Sequence, residues 1–152
     1  MSAARDSVRL SLRLLSTGRE IERRVDQMMR ARFDSTIARF DFMAALDRFG
    51  VLSLGGVSEH LLVSNGNVTA LAARLRADGL IETAPSESDR RVQMVRLTDA
   101  GAAAFKKMAR AHEACVSDLL NTLTRAERAS LMALLERARA SIRGAEEREA
   151  VR

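Results

Sequence analysis

A mainly α-helical fold, broken once near its middle by a small β-hairpin, is what the residue pattern calls for. Three observations carry that expectation. Apolar residues recur at three- and four-residue spacing over most of the chain, the period of a helix with one buried face. Only near residues 80–97 does the period fall to two, with Pro85 and a polar run between the alternating segments. The apolar material is Leu, Ala, Val and Met, with no Trp, no Tyr and five Phe, which suits helix-on-helix packing better than a sandwich or barrel.

The elements follow in order. Residues 5 to about 31 place Val8, Leu12, Leu15, Ile21, Val25, Met28 and Met29 at helical spacing, with an interruption expected at Thr17-Gly18. Ser35 or Thr36 can cap a second helix bearing Ile37, Phe40, Met43, Ala44 and Leu46, ended by Gly50. Ser53 suits the cap of a short third helix to about Val63, weakened inside by Gly55-Gly56. Ser64 or Asn65 caps a fourth, where Val68, Leu71, Ala72 and Leu75 fall at i, i+3, i+4 and i+7 before Gly79 closes it.

Leu80 to Thr83 reads as a short strand and Val92 to Leu97 as its partner, joined by a loop of about eight to ten residues. Val92, Met94 and Arg96 share one side of the second strand, Gln93, Val95 and Leu97 the other. Thr98 caps a long helix with the stripe Phe105, Met108, Ala109, His112, Val116, Leu119, Leu120 and Leu123. Thr124-Arg-Ala-Glu127 is a capping box for a last helix bearing Leu131, Leu134, Leu135, Ala138 and Ile142. The charged tail after Gly144 is expected to fray.

Composition narrows the function. With 47% hydrophobic and 30% charged residues, the chain is globular and reads as one domain over 1–152. The net charge of +5 arises from 25 Lys+Arg against 20 Asp+Glu and is almost all Arg, a permanent planar donor suited to phosphate or carboxylate. One cysteine, Cys115, excludes an intramolecular disulfide and a multi-cysteine zinc site, and its position off the main stripe suggests a small packing residue. No HExxH, CxxC, P-loop or GxSxG pattern appears, so neither an enzyme nor a cofactor is expected, and no metal. The N-terminal apolar residues are interrupted by Arg and no run reaches membrane-spanning length. A cytoplasmic protein without membrane association is expected.

Two helices across a short turn followed by a two-stranded hairpin is the layout of a winged helix-turn-helix. Outside its core stripe, the fourth helix carries Asn65, Asn67, Thr69, Ala70, Ala73, Arg74 and Arg76. Small residues admit the backbone to a DNA groove, amides read base edges and arginines reach phosphate or guanine. The same set would also serve an ordinary solvated face. From 64 to 98 the arginines at 74, 76, 90, 91 and 96 stand against acids at 78, 82, 87 and 89, a net of only +1, so a locally positive face requires those acids to point elsewhere. At the hairpin tip, Arg90 or Arg91 suits a minor groove, and Asp89 could hold one arginine fork by a bidentate pair; taken alone, the tip reads more simply as a solvated polar turn.

Asn67-Val-Thr-Ala-Leu-Ala-Ala-Arg-Leu-Arg-Ala-Asp-Gly-Leu-Ile81, then Ser88-Asp-Arg-Arg91, then Val95-Arg-Leu-Thr-Asp-Ala-Gly101, resembles the signature of the MarR family of bacterial regulators over about residues 8–143. The resemblance implies a homodimeric repressor. Residues 35–98 would be its DNA-binding lobe, and helices 5–31 and 99–143 would interlock between protomers. It puts helix 64–78 in the major groove of a double-stranded operator and a wing arginine in the minor groove. Ala70 stands where many members carry an arginine, so base contacts are expected at Ser64, Asn65, Asn67 and Thr69, beside Arg74, Asp89, Arg90 and Arg91. The resemblance also implies a pocket for a small effector, an aromatic acid or an acyl-CoA thioester. Phe40, Met43, Phe49, Met108 and His112 would form its wall and Arg23 an anion partner. The competing expectation for His112 is a hydrogen-bonded core residue. The competing reading of the whole is a helical protein-interaction module without sequence-specific DNA binding.

Overall fold

The computed structural model describes residues 3–61 and 65–150. Helix α1 (Ala3–Phe33) is continuous, so the interruption expected at Thr17-Gly18 does not occur. One helical glycine costs about 1 kcal/mol relative to alanine, too little to break a helix this long. What changes there is the environment. Val8, Leu10, Leu12 and Leu15 are exposed, whereas Ile21, Val25, Met28 and Met29 pack into the core.

Asp34, in the left-handed region at φ 47°, turns the chain. Helix α2 (Ile37–Phe49) then opens on Thr36 rather than Ser35: the Thr36 hydroxyl accepts from the Arg39 amide at 3.2 Å, and Ser35 is buried. A second tether comes from α1, where the Asp26 carboxylate accepts from the Ile37 amide at 2.9 Å and from Arg30 at 2.6 Å. The Ile37 amide first, and then Arg30, hold the Asp26 carboxyl below its ordinary value.

Leu52 and Ser53 form a strand, β1, that the residue pattern did not announce. They pair antiparallel with Val95 and Met94, so the hairpin is part of a three-stranded sheet ordered β1-β3-β2. Two residues are too short to display a period, which is why the strand is silent in sequence. Ser53 still caps helix α3 (Leu54–Leu61), accepting from the Gly56 amide at 2.9 Å. Helix α4 (Asn65–Ala77) buries Val68, Ala72 and Leu75. It closes in a Schellman motif: the Leu80 amide reaches the Leu75 carbonyl at 2.9 Å, the Gly79 amide reaches Arg76 at 3.0 Å, and Gly79 takes φ 69°.

Strands β2 (Ile81–Pro85) and β3 (Gln93–Leu97) pair in the register Ile81↔Leu97, Thr83↔Val95 and Pro85↔Gln93. Because β2 runs on through Pro85, the loop spans only 86–92, shorter than expected. Pro85 sits at the strand's end, where a missing amide donor is tolerated. Ile81 and Val95 carry the sheet's contribution to the core.

Helix α5 (Asp99–Leu119) begins at a tight junction. The Thr98 hydroxyl accepts from the Gly101 amide at 3.0 Å and donates to the Gly79 carbonyl at 2.7 Å, while the Thr98 amide donates to the Leu80 carbonyl at 3.1 Å. A Cβ on Gly101 would lie 1.9 Å from that same Leu80 oxygen. The Leu-Thr-Asp-Ala-Gly stretch thus has a steric and hydrogen-bonding reason. Further along, Phe105, Met108 and Ala111 are buried and Cys115 packs against the core, so the stripe is rotated slightly from its expected line and includes the cysteine.

The chain divides into two compact units, residues 1–116 and 117–152. In the second, Thr124 and Glu127 form the expected capping box, with the Thr124 amide 2.8 Å from the Glu127 carboxylate and the return bond at 3.3 Å. Helix α6 (Arg125–Ala150) continues through Gly144 instead of fraying, in a run of Glu, Arg and Ala that favours helix. Leu131, Met132, Leu134, Leu135 and Ile142 are exposed on it.

Two outcomes follow for stability. Gly101→Ala should destabilise by about 1–3 kcal/mol in thermal or denaturant unfolding, because backbone rather than a flexible side chain opposes the methyl; an unchanged midpoint would show that the Leu80 carbonyl can move. Asp26 has a lowered folded pKa, so its contribution is full above the ordinary value of 3.8 and is lost as pH falls through the lower folded value. Asp26→Asn should therefore be less stable than the parent chain at neutral pH, with the gap closing in acid; a pH-independent gap would refute the ionic contribution.

Candidate nucleic-acid interface

Burial of Val68, Ala72 and Leu75 fixes which way α4 faces. At 100° per residue, the line pointing away from the core runs through Gly66, Ala70, Ala73 and Ala77, a crest of small residues. Asn67 and Arg74 flank it on one side, Thr69 and Arg76 on the other, all exposed. Asn67, Thr69, Ala70 and Arg74 therefore share the exposed surface as expected. Ser64 lies outside the described residues, as does the Asn65 side chain. Arg76 leans toward the sheet, its guanidinium 3.4 Å from the Thr83 hydroxyl on β2.

The loop after β2 is held by its own bonds. The Ser86 amide donates to the Val92 carbonyl at 2.8 Å, the Val92 amide to the Asp89 carbonyl at 2.9 Å, and the Ser86 and Ser88 hydroxyls lie 3.0 Å apart. Asp89 does act as a brace, but not through an arginine fork: its carboxylate accepts from the Arg91 backbone amide at 2.9 Å, an Asx turn. The bidentate pair expected from sequence is absent because a two-residue turn brings the amide closer than a guanidinium. Arg90 and Arg91 are both exposed at the tip.

Pairing decides the local charge. Asp78 is taken by Arg39 of α2, and Glu82 by Arg96 in the facing register position of β3. Among the described residues, Arg74, Arg76, Arg90 and Arg91 have no carboxylate partner within ion-pair distance. A near-neutral segment thus presents four guanidiniums outside ion pairs on one helix and one loop, with Glu87 and Asp89 as the unpaired carboxylates beside the two at the tip. A charge count alone could not reveal this.

Of the five residues expected to wall an effector pocket, Phe40, Met43, Met108 and His112 share the core, whereas Phe49 and the expected anion partner Arg23 stand apart from it. Phe40 stacks on Phe105 and on His112, at 5.4 and 4.8 Å between ring centroids, with Met108 also in that core. His112 is half-buried there. Met43 is fully buried. Phe49 lies at the far end of α2, exposed and flat on His60 at 4.1 Å with the Arg48 guanidinium 5.1 Å from its ring. Arg23 is paired with Glu20 on the open face of α1.

Concave surface lies instead on both sides of α4. An open cleft of about 440 Å³ is bordered by Glu22, Asp41, Leu61, Asn67 and Arg74, and one of about 220 Å³ by Leu54, Thr69, Arg76, Thr83 and Gln93. Burial pushes the Asp41 carboxyl above its ordinary range; His112 opposes this and Glu22 adds to it. Among the described residues no cluster of His, Cys, Asp and Glu could hold a metal, and no helix is long and apolar enough to cross a membrane.

A model of the MarR family matches residues 33–92, from the end of α1 through the wing. The chain is similar to the HTH-type transcriptional repressor IacR of Pseudomonas putida, 29% identical over 105 residues, covering 69% of this chain and 63%, just under two thirds, of that one. Its fold matches a mutant MarR from E. coli complexed with operator DNA, at TM-score 0.79 and 22% identity over 91% of this chain and 99% of that one. It also matches BpsR of Bordetella bronchiseptica, solved to explain regulation of its DNA binding by 6-hydroxynicotinic acid, at TM-score 0.71 and 25% identity over 83% and 98%. The signature residues, the winged helix-turn-helix with its third strand, and these matches point the same way: residues 33–92 match the MarR family, and the chain as a whole is similar to MarR-family transcriptional regulators.

Proposed function

We propose that this chain is a homodimeric transcriptional repressor, working in the cytoplasm, that binds an imperfectly palindromic operator and is released by a small effector. The observation that carries the reading is the set of four arginines without carboxylate partners, spread over α4 and the wing around a small-residue crest. In this reading α4 enters the major groove, where Asn67 and Thr69 meet base edges and Ala70 lets the backbone approach. Arg90 or Arg91 enters the adjacent minor groove, where the potential is most negative.

Two copies would set their recognition helices about 34–36 Å apart, one turn of duplex. Support for a second copy comes from apolar side chains with no cover in the single chain: Val8, Leu12 and Leu15 on α1, and Leu131, Leu134 and Ile142 on α6. Support for an effector comes from the aromatic acid in the BpsR match and from the cleft beside α4, whose occupant would act on the helix that reads DNA. An effector releases DNA only if it binds the two states with different affinity.

Titration against duplexes from the chain's own upstream region at several salt concentrations tests the proposal. Log K should fall with log salt by about 0.9 for each phosphate neutralised, and a scrambled duplex should bind more weakly. Equal affinity for both duplexes would favour the alternative, a helical protein-interaction module. Arg91→Ala should weaken operator binding by about 1–3 kcal/mol. The wing brace makes a separate forecast: Asp89→Ala should weaken binding, whereas Asp89→Asn, whose amide oxygen can still accept from the Arg91 amide, should keep most of it. Equal losses in the two Asp89 variants would mean that charge, not the turn, matters.

A further inference from the structure

Arg39 and Asp78 each sit where their own helix disfavours them. Arg39 is the third residue of α2, near the positive end of the helix dipole, and Asp78 follows the last residue of α4, at the negative end. Yet they form an ion pair that joins two helices. The Arg39 side chain is only 17% exposed, and its Nε is buried without a hydrogen-bond partner, so Asp78 orients the guanidinium. Helix electrostatics would prefer these charges exchanged. The link between α2 and α4 is what the present arrangement provides.

That link joins two ends that are themselves fastened. The start of α2 is tied to α1 by Asp26 and capped by Thr36. The end of α4 is tied to β2 through Arg76 and Thr83, and to the start of α5 through Gly79 and Thr98. Only Arg39–Asp78 connects this end of α4 by side-chain bonding to the α1–α2 side among the described residues.

We propose that Arg39 is a positioning residue for DNA recognition: through Asp78 it sets the tilt of α4 against α1 and α2, and so the direction in which Asn67, Ala70 and Arg74 are presented. This rests on the reading of α4 as the major-groove helix. Without the clasp α4 keeps its charges, so attraction to any duplex persists, while the register that distinguishes one sequence from another is lost.

The test uses the full chain as Arg39→Met, as Asp78→Asn, and as the reversal Arg39→Asp with Asp78→Arg. Operator and scrambled duplexes are titrated beside thermal unfolding. Each single variant should lose about tenfold or more in operator affinity, as misplacement by about an ångström can cost. Binding to scrambled DNA and the melting temperature should change little. The reversal places both charges at the helix ends that favour them; it should restore most of the operator preference and melt no lower than the parent. Single variants that keep the parent's operator-to-scrambled ratio overturn the inference. So does a reversal that melts like the parent without regaining the preference. Asp78 is half-exposed, so Asp78→Asn carries the test if Arg39→Met does not fold. A parent chain without operator preference overturns the underlying functional reading, and the clasp's role with it.

Discussion

The carbonyl of Leu80 leaves no room for a side chain at Gly101. It also accepts the Thr98 amide. Thr98, pinned to Gly79 on one side and capping α5 on the other, closes the same junction. Here the end of α4, strand β2 and the start of α5 meet within a few residues. Loosening any one of them would change the direction of the other two. The absence of a Cβ at one position therefore holds the geometry of a whole lobe, because a carbonyl oxygen, unlike a side chain, has nowhere to rotate.

Much of this was legible in sequence where the information is periodic or local. Helix faces followed from the spacing of Val25, Met29, Val68 and Leu75; caps followed from Thr36, Ser53, Thr98 and Thr124, each within three residues of the amide it satisfies. What escaped has one of two physical causes. Some features are too short to repeat, as with Leu52-Ser53, whose strand character exists only because β3 lies beside it. Others join residues far apart in sequence, as Arg39 joins Asp78 and Asp26 reaches Ile37, and no spacing rule connects such positions. The residues expected to form an effector wall divide for a further reason. Phe40 and Phe49 are both apolar residues of α2, but nine positions carry them to opposite ends of that helix, and only Phe40 reaches α5.

Electrostatics shows the same division between count and geometry. Within a segment of nearly balanced charges, Asp78 and Glu82 are engaged by Arg39 and Arg96, which leaves Arg74 and Arg76 of α4 outside ion pairs, while Glu87 and Asp89 stay beside Arg90 and Arg91. Glu82 and Arg96 face each other by strand register, an arrangement a hairpin alignment could have suggested. For Asp78 the partner comes from outside the segment, on α2, so a sum over the segment alone misses it.

The Asx turn at the wing has a kinetic side. Asp89 spends its carboxylate on a backbone amide, which shapes the loop without occupying either neighbouring guanidinium. A fork held by a carboxylate must exchange partners before it can meet another anion, and that exchange adds a barrier to arrival. Arg90 and Arg91 need shed only water and rotamer freedom. The acid that gives the tip its shape thus adds no exchange of ion-pair partners to the approach of an anion.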